Sequence, residues 1–343
     1  MKPSLFQFSL SELTDAIVAL GEPKFRAKQI WDFMLEKRVK SIDDMHNLPK
    51  LLKEKLKANY TLFDMKVTHV QGSTESTTRK YLIALKDSHQ VEAVLMKYAH
   101  GNSICISTQV GCRMGCTFCA STIDGLARNL EAYELWQQIA LVAADAQLRV
   151  SHVVLMGSGE PLDNYEHVLR FIRVASSDEH LNIGQRHITV STCGLVNKID
   201  RLATEKLQIT LAISLHNPFN EARSSIVPVN KKWPVEELLA AVDRYIAATN
   251  RRVTIEYTLI KGVNDSEDHA KALIALLKGK LIHVNLIPVN PIAERDFQPT
   301  EKKHVILFRQ RLEKGGLNVT VRRELGDDID AACGQLRRSY ERT

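Results

Sequence analysis

From residue 103 onward, apolar runs of strand length alternate with amphipathic segments of helix length. The runs are SICISTQV at 103–110, SHVVLMG at 151–157, HITVSTC at 187–193, ITLAISL at 209–215, VTIEYTLI at 253–260 and HVNLIPV at 283–289. Helices are predicted near 131–148, 164–176, 195–206, 235–248, 266–278 and 301–314, so six β-then-α units follow one another. Val- and Ile-rich strands separated by helices call for a parallel sheet covered on its outer face, and the fold class is α/β. A closed eight-unit barrel needs more units than are present. That leaves a partial (βα)6 barrel or an open doubly wound sheet, and both place chemistry at the carboxyl ends of the strands.

Ahead of these units, RKYLIAL at 79–85 and VEAVLM at 91–96, joined by a Lys-Asp-Ser-His turn, predict a β-hairpin. Still earlier, Phe25, Ile30, Trp31 and Phe33 to Leu35, the break at Leu48-Pro49 and LLKEKL read as short helices. The expected organisation is a small helical domain over 1–75, a hairpin linker over 76–99, the α/β core over 100–320 and a C-terminal segment over 321–343.

Composition agrees with a substantial core: 343 residues are 44% hydrophobic and 25% charged. No apolar run approaches the roughly 18 to 20 residues that cross a bilayer, and the first residues lack the basic-then-apolar layout of a secretory signal. A cytoplasmic protein is expected. The net charge of +6 fits an anionic partner, and its distribution says more. Between Lys24 and Lys57 stand ten Lys or Arg against five Asp or Glu, which is either a nucleic-acid-binding module or a solvated helical face. A second basic group, Arg322, Arg323, Arg337, Arg338 and Arg342, lies near the other end.

Six cysteines in a reducing compartment point to metal, cluster or redox chemistry before structural disulfides. After the first strand, GCRMGCTFCAST sets Cys112, Cys116 and Cys119 in CxxxCxxC spacing. Three thiolates on one tight loop can reach three corners of an inorganic cube. A structural zinc normally closes with four ligands, and no nearby CxxC or HxxxH supplies the fourth. A 4Fe-4S cluster held by three cysteines leaves one iron open to a ligand. Packed cysteines, or zinc with a distant histidine, are the alternatives. At this loop, with Phe118 just before the third cysteine, the chain resembles the radical S-adenosylmethionine superfamily. The resemblance implies a partial barrel and a 4Fe-4S cluster whose open iron binds S-adenosylmethionine and cleaves it to a 5'-deoxyadenosyl radical.

The second strand ends in MGSGEPLDN, where glycines allow close backbone approach and Glu160 can accept from an ammonium group. In the superfamily, the motif matching Gly159 and Glu160 holds the amino group of S-adenosylmethionine. Ser191, then Ser214, Leu215 and His216, and Asn290 end the third, fourth and sixth strands. Each alone could be a turn former, and together they line one rim as further cofactor-binding candidates.

The segments VEAVLMKY, CISTQVGCRMGCTFCAST, MGSGEPLDN, ITVST, AISLH, HVNLIPVN and DIDAACGQL occur in an order that resembles the RlmN and Cfr family of adenosine methyltransferases, over nearly the whole chain. The resemblance implies that Cys333 becomes S-methylated, that Cys105 resolves an RNA adduct and that Glu92 accepts a proton. Cys105 taken alone would read as a small buried hydrophobe, and Cys193 reads as packing. The chemistry is demanding because carbon 2 or carbon 8 of adenine is electron-poor and cannot displace methyl from a sulfonium. In the family, Cys333 thiolate takes methyl from one S-adenosylmethionine. A second molecule supplies the radical that activates the S-methyl group, a methylene bridge to RNA forms, a base removes the ring proton, and a Cys105–Cys333 disulfide releases the product. Two S-adenosylmethionine molecules are used per turnover. Gly-Glu-Pro at 159–161 and Ile-Pro-Val-Asn at 287–290 resemble the RlmN type, which implies carbon 2 of an adenosine in 23S rRNA at the peptidyl transferase centre and adenosine 37 of tRNA. An electron donor such as flavodoxin and a monomeric state are also implied. The alternatives are a Cfr-type carbon 8 enzyme conferring antibiotic resistance and a non-catalytic RNA-binding metalloprotein.

Overall fold

The computed structural model describes residues 2–292 and 294–322; Cys333, Arg323, Arg337, Arg338 and Arg342 lie outside the described residues. Three helices open the chain, α1 (Leu10–Ala19), α2 (Phe25–Leu35) and α3 (Lys50–Asn59). Ser9 starts α1 with a capping box: its hydroxyl accepts from the Glu12 amide at 3.2 Å and the Glu12 carboxylate accepts from the Ser9 amide at 2.7 Å. An antiparallel run follows, β1 (Lys66–Gln71), β2 (Thr78–Ala84), β3 (Gln90–Tyr98) and β4 (Gly101–Cys105). A two-stranded ribbon, β5 (Gln109–Gly111) with β6 (Leu126–Asn129), stands apart from the main sheet. Helices and strands then alternate: α4 (Ala132–Ala146), β7 (His152–Leu155), α5 (Tyr165–Ala175), β8 (Ile188–Thr192), α6 (Val196–Thr204), β9 (Thr210–Ser214), α7 (Asn220–Ile226) and α8 (Val235–Thr249). The described chain closes with β10 (Val253–Leu259), α9 (Glu267–Leu277), β11 (Ile282–Pro288), α10 (Lys302–Lys314) and β12 (Val319–Val321).

Strand order decides between the two expected architectures. The sheet runs β1-β2-β3-β4-β7-β8-β9-β10-β11-β12, and every pair from β4 to β12 is parallel. A doubly wound sheet needs a point where strand order reverses, and none occurs among the described strands. Right-handed crossovers that always step the same way put all the helices on one face, which is the arrangement of a partial barrel. The six predicted units correspond to β4, β7, β8, β9, β10 and β11. Four features escape the alternation rule because they are short or polar: β1, β12, the β5–β6 ribbon and α7, whose sequence is NEARSSI.

Burial alternates along the strands. Ile104, Val153, Val190, Leu211, Ile255 and Val284 are fully buried against the helices. The opposite, concave face carries Ser103, Cys105, Thr189, Ser191, Ser214, Glu256 and Asn285, interspersed with Val154 and Ala212, so it is largely polar. The segments that flank the three N-terminal helices dock on α4, where the Trp136 indole donates to the Phe6 carbonyl at 2.9 Å and the Gln137 side-chain oxygen accepts from the Asp64 and Met65 amides. Among the described residues no helix is long and apolar enough to cross a membrane.

Candidate active site

The cysteine loop is pinned at both ends by the β5–β6 ribbon, and the Cys112 amide donates to the Gly125 carbonyl at 2.8 Å. Gly111 has φ of 76°, and a Cβ there would stand 2.0 Å from that same carbonyl oxygen, so only glycine permits the closure. Inside the loop, the Thr122 hydroxyl lies within hydrogen-bond reach of the Cys116 carbonyl at 2.8 Å and the Cys119 carbonyl at 2.9 Å. The Thr117 amide donates to the Ile226 carbonyl of α7. Backbone thus presents the three thiols to one cavity of about 260 Å³ at the carboxyl ends of the parallel strands.

Burial pushes the Cys112 thiol up to about 12 and raises Cys116 as well, so these sulfurs need a cation to become thiolates. Among the described residues no three His, Cys, Asp or Glu side chains converge on a point that would hold a single ion. Three thiols spread along one wall of a cavity suit a cluster with several iron corners. The residues therefore fit a 4Fe-4S group held by Cys112, Cys116 and Cys119.

Opposite them the loop after β7 carries Glu160. Gly157 passes so close to β4 that a Cβ would lie 2.6 Å from the Ile106 carbonyl oxygen, and Gly159, at φ of 106°, has equally little room beside Gln109. These approaches bury Glu160, whose two oxygens accept from the Leu162 amide at 3.0 Å and the Cys193 amide at 2.8 Å. Its own amide donates to the Gln109 side chain at 2.8 Å. Burial raises the carboxyl pKa while the amide bonds act against that rise. A carboxyl group so held is ready for a cationic ligand.

Ser191 and Ser214 face each other across β8 and β9 with hydroxyls 3.4 Å apart. His216 follows in the left-handed region at φ of 59°, and its Nδ1 accepts from the Thr258 amide at 3.1 Å. Burial depresses His216 to about 3, so the ring is neutral, and Phe118 meets it edge-on at 4.9 Å. Asn290 lines the same cavity just beyond β11. Leu215 does not present its side chain there; it is fully buried in the core, and its carbonyl accepts from Arg223. Cys193 packs with Ile226 and Val227 and also lines the cavity.

Cys105 and Glu92 stand on the adjoining wall. Val94 of β3 lies opposite Cys105 of β4 and opposite Lys80 of β2, with Glu92 two residues earlier on the same face. The three side chains share the concave side, and the Lys80 ammonium is 3.2 Å from the Glu92 carboxylate.

Sequence reading missed two residues here, Arg223 and Glu256. Arg223 is fully buried and donates to the Leu215, Cys193 and Ser214 carbonyls and to Asn230, strapping the loops after β8 and β9 together. Burial lowers it to about 10, which leaves it charged at neutral pH. Glu256 accepts from Asn285 at 2.8 Å and lines the cavity with Arg322. A carboxylate in the apolar run VTIEYTLI was the available signal for Glu256; Arg223, in a polar segment, offered none.

In the basic N-terminal stretch, Lys28, Lys40, Lys55 and Lys57 pair with Asp32, Asp145, Glu22 and Asp43, while Lys24 and Lys50 are exposed.

Two sequence profiles match the chain: the radical SAM superfamily over residues 106–274 and the ribosomal RNA large subunit methyltransferase N-terminal domain over 4–62. The protein named probable dual-specificity RNA methyltransferase RlmN from Clostridium novyi is 51% identical over 339 residues, covering 99% of each chain. Its namesake from Desulforamulus reducens is 52% identical over 340 residues, covering 99% of this chain and 97% of that one. A crystal structure of a radical SAM methyltransferase from Sphaerobacter thermophilus superposes with a TM-score of 0.91 at 42% identity, covering 97% of this chain and 98% of the other.

Proposed function

Because this chain belongs to the RlmN family of radical S-adenosylmethionine methyltransferases, we propose that it methylates carbon 2 of an adenosine in the peptidyl transferase centre of 23S rRNA and of adenosine 37 in tRNA. Its cofactors are a 4Fe-4S cluster and S-adenosylmethionine. The observation that carries the reading is the junction of two walls: the thiol and Glu160 cavity meets the concave face that bears Cys105 and Glu92. The full-length identity with methyltransferases sets aside a non-catalytic metalloprotein, and no observation favours the carbon 8 product.

When bound, the cluster and S-adenosylmethionine supply a carbon-centred radical, the reagent that an electron-poor ring carbon requires. Cys112, Cys116 and Cys119 would hold the cluster. Glu160, fixed by two backbone amides, accepts from the ammonium of S-adenosylmethionine, and Ser191, Ser214, the backbone at Leu215 and His216, and Asn290 orient the remainder. Cys333 takes a methyl group by displacement and carries it to the adenine. Glu92 accepts the ring proton. Cys105 attacks the Cys333 sulfur, so that the bond from that sulfur to the methylene carbon breaks, the released carbon takes up a proton to become the methyl group, and a Cys105–Cys333 disulfide remains.

The test is a nucleoside digest of 23S rRNA and tRNA from cells with and without this protein. Loss of 2-methyladenosine from both RNAs on deletion is expected. A change in 8-methyladenosine, or in no methylated adenosine, would overturn the reading.

A further inference from the structure

Lys80 is fully buried and Glu92 nearly so, and their charged groups are 3.2 Å apart on the concave face. Lysine is almost never fully buried, and a buried ion pair generally holds a fold together no better than two apolar side chains of the same size. Apolar side chains already stand on this face, since Val94 lies opposite Lys80 and the fully buried Leu82 lies opposite Glu92. Register explains the meeting: Lys80 and Cys105 both stand opposite Val94, and Glu92 is the next residue along that face.

The pair is also tied to the cofactor wall. The Ser107 hydroxyl donates to the Glu92 carbonyl at 2.8 Å and accepts from the Ser158 amide at 3.1 Å, and the Ser158 hydroxyl donates to Ser121 of the cysteine loop at 2.8 Å. The backbone under Glu92 is thereby fixed relative to both cofactor-holding loops.

We propose that Lys80 is the positioning residue of the proton-transfer step, its ammonium keeping the Glu92 carboxylate aimed along the concave face; this rests on the reading of Glu92 as the proton acceptor. An ammonium 3.2 Å from the carboxylate, itself fixed within a buried strand, sets the direction in which the accepting oxygen points. In the step itself the unpaired electron that radical addition leaves on the ring passes to a one-electron acceptor, the oxidised cluster that Cys112, Cys116 and Cys119 would hold. The C–H bond at the substituted ring carbon then breaks, its electron pair stays in the ring and restores aromaticity, and the proton passes to a Glu92 oxygen. In this role Lys80 acts through Glu92 and gives up no proton.

The experiment compares Lys80→Met, Lys80→Arg, Glu92→Gln and the double variant Lys80→Met/Glu92→Gln in the full-length, cluster-loaded enzyme. Three readouts are followed: S-methylation of Cys333, formation of methylated RNA, and RNA-linked protein seen as a nuclease-sensitive shifted band on a denaturing gel. Lys80→Met should methylate Cys333 at a normal rate yet form RNA product about tenfold or more slowly, within the roughly hundredfold or greater worth of a positioned proton acceptor. It should also accumulate the shifted band, as Glu92→Gln should. Lys80→Arg should recover most of the rate. The double variant should be no slower than Glu92→Gln, and it removes both buried charges together, so it tests the coupling even where Lys80→Met folds poorly. Normal RNA turnover in Lys80→Met, equal loss of both methylation steps, or additive defects in the double variant would each overturn the inference while leaving Glu92 in place. Normal turnover in Glu92→Gln would overturn the reading of Glu92 and this inference with it.

Discussion

Glu160 and Glu92 are both buried carboxyl groups, one lining the thiol cavity and the other on the concave face of the sheet, and they are held by different means. Glu160 sits on a loop and is fixed by main chain: two amides donate to it, and glycines let that main chain come close. Glu92 sits within a strand and is fixed by a side-chain cation that strand register brings opposite. A loop carrying its own backbone donors can hold a cofactor as one local unit. A wall built by register places single reactive groups whose partners come from other strands. The difference teaches where damage should stay local and where it should stop one chemical step.

The largest effect is expected at the loop. Replacing any one of Cys112, Cys116 or Cys119 with Ala should abolish 5'-deoxyadenosine formation, measured by chromatography after anaerobic reconstitution, because two thiols hold a cluster poorly. Retained cleavage in all three variants would break the distinction at its root.

On the wall, Cys105→Ala should leave S-adenosylmethionine cleavage and Cys333 methylation intact but stop after a single event, leaving the enzyme joined to RNA. Cys333→Ala should form no RNA product at all. Mass analysis of the intact protein with and without nuclease separates the two outcomes, and normal multiple turnover by either variant contradicts the methylene bridge.

Gly159→Ala sharpens the loop side. A Cβ there would stand 2.6 Å from the Gln109 side chain at φ of 106°, so Glu160 must shift. Its KM for S-adenosylmethionine should rise on the order of ten- to hundredfold, since misplacement by about 1 Å can cost that much. Gly279→Ala, also at positive φ but with open space around it, should cost about 1 kcal/mol of stability with KM unchanged.

A smaller effect belongs to the joint between the N-terminal helices and the barrel. His180 is buried between the rings of Trp31 and Trp136, neither of its nitrogens has a hydrogen-bond partner among the described residues, and burial depresses it to about 4. Because the folded pKa lies below the unfolded value near 6.5, the unfolded chain binds the proton first. The stability His180 contributes is complete above about pH 6.5 and is lost as pH falls towards 4, to a total of at most about 3 kcal/mol. Urea unfolding midpoints should fall across that window in the unmodified protein and fall less steeply in His180→Phe. Parallel pH profiles would remove His180 from the account.

The same division between loop and wall governs how much could be read beforehand. CxxxCxxC and GSGE are legible because every member lies on one loop, and the six units are legible because the core face of each strand alternates with its concave face. Lys80, Glu92 and Cys105 are separated in sequence, and nothing in RKYLIAL or VEAVLM says that they meet until the register is known. The resemblance to a family singled out Glu92 and Cys105, but not Lys80. Arg223 was invisible because three of its four partners are backbone carbonyls, which no side-chain pattern encodes.

The smallest effects are expected on the basic helices, where a third means of holding charge operates. Lys28 and Lys57 already sit 2.7 Å from Asp32 and Asp43, so part of their field is spent within the protein, whereas Lys24 and Lys50 project into solvent. If these helices grip RNA, each lysine that neutralises a phosphate releases counterions, and its removal lowers the salt dependence of binding by about one unit of slope. Lys24→Ala/Lys50→Ala should therefore weaken RNA binding a few-fold at low salt and reduce the slope by about two, with stability changed by less than about 0.5 kcal/mol. Lys28→Ala/Lys57→Ala should change the slope less, since each removed cation leaves its carboxylate behind and only part of its charge was available to phosphate. Fluorescence anisotropy of a labelled RNA hairpin across a salt series measures both slopes. Equal slopes in the two variants and the unmodified protein would return the whole stretch to the status of a solvated surface.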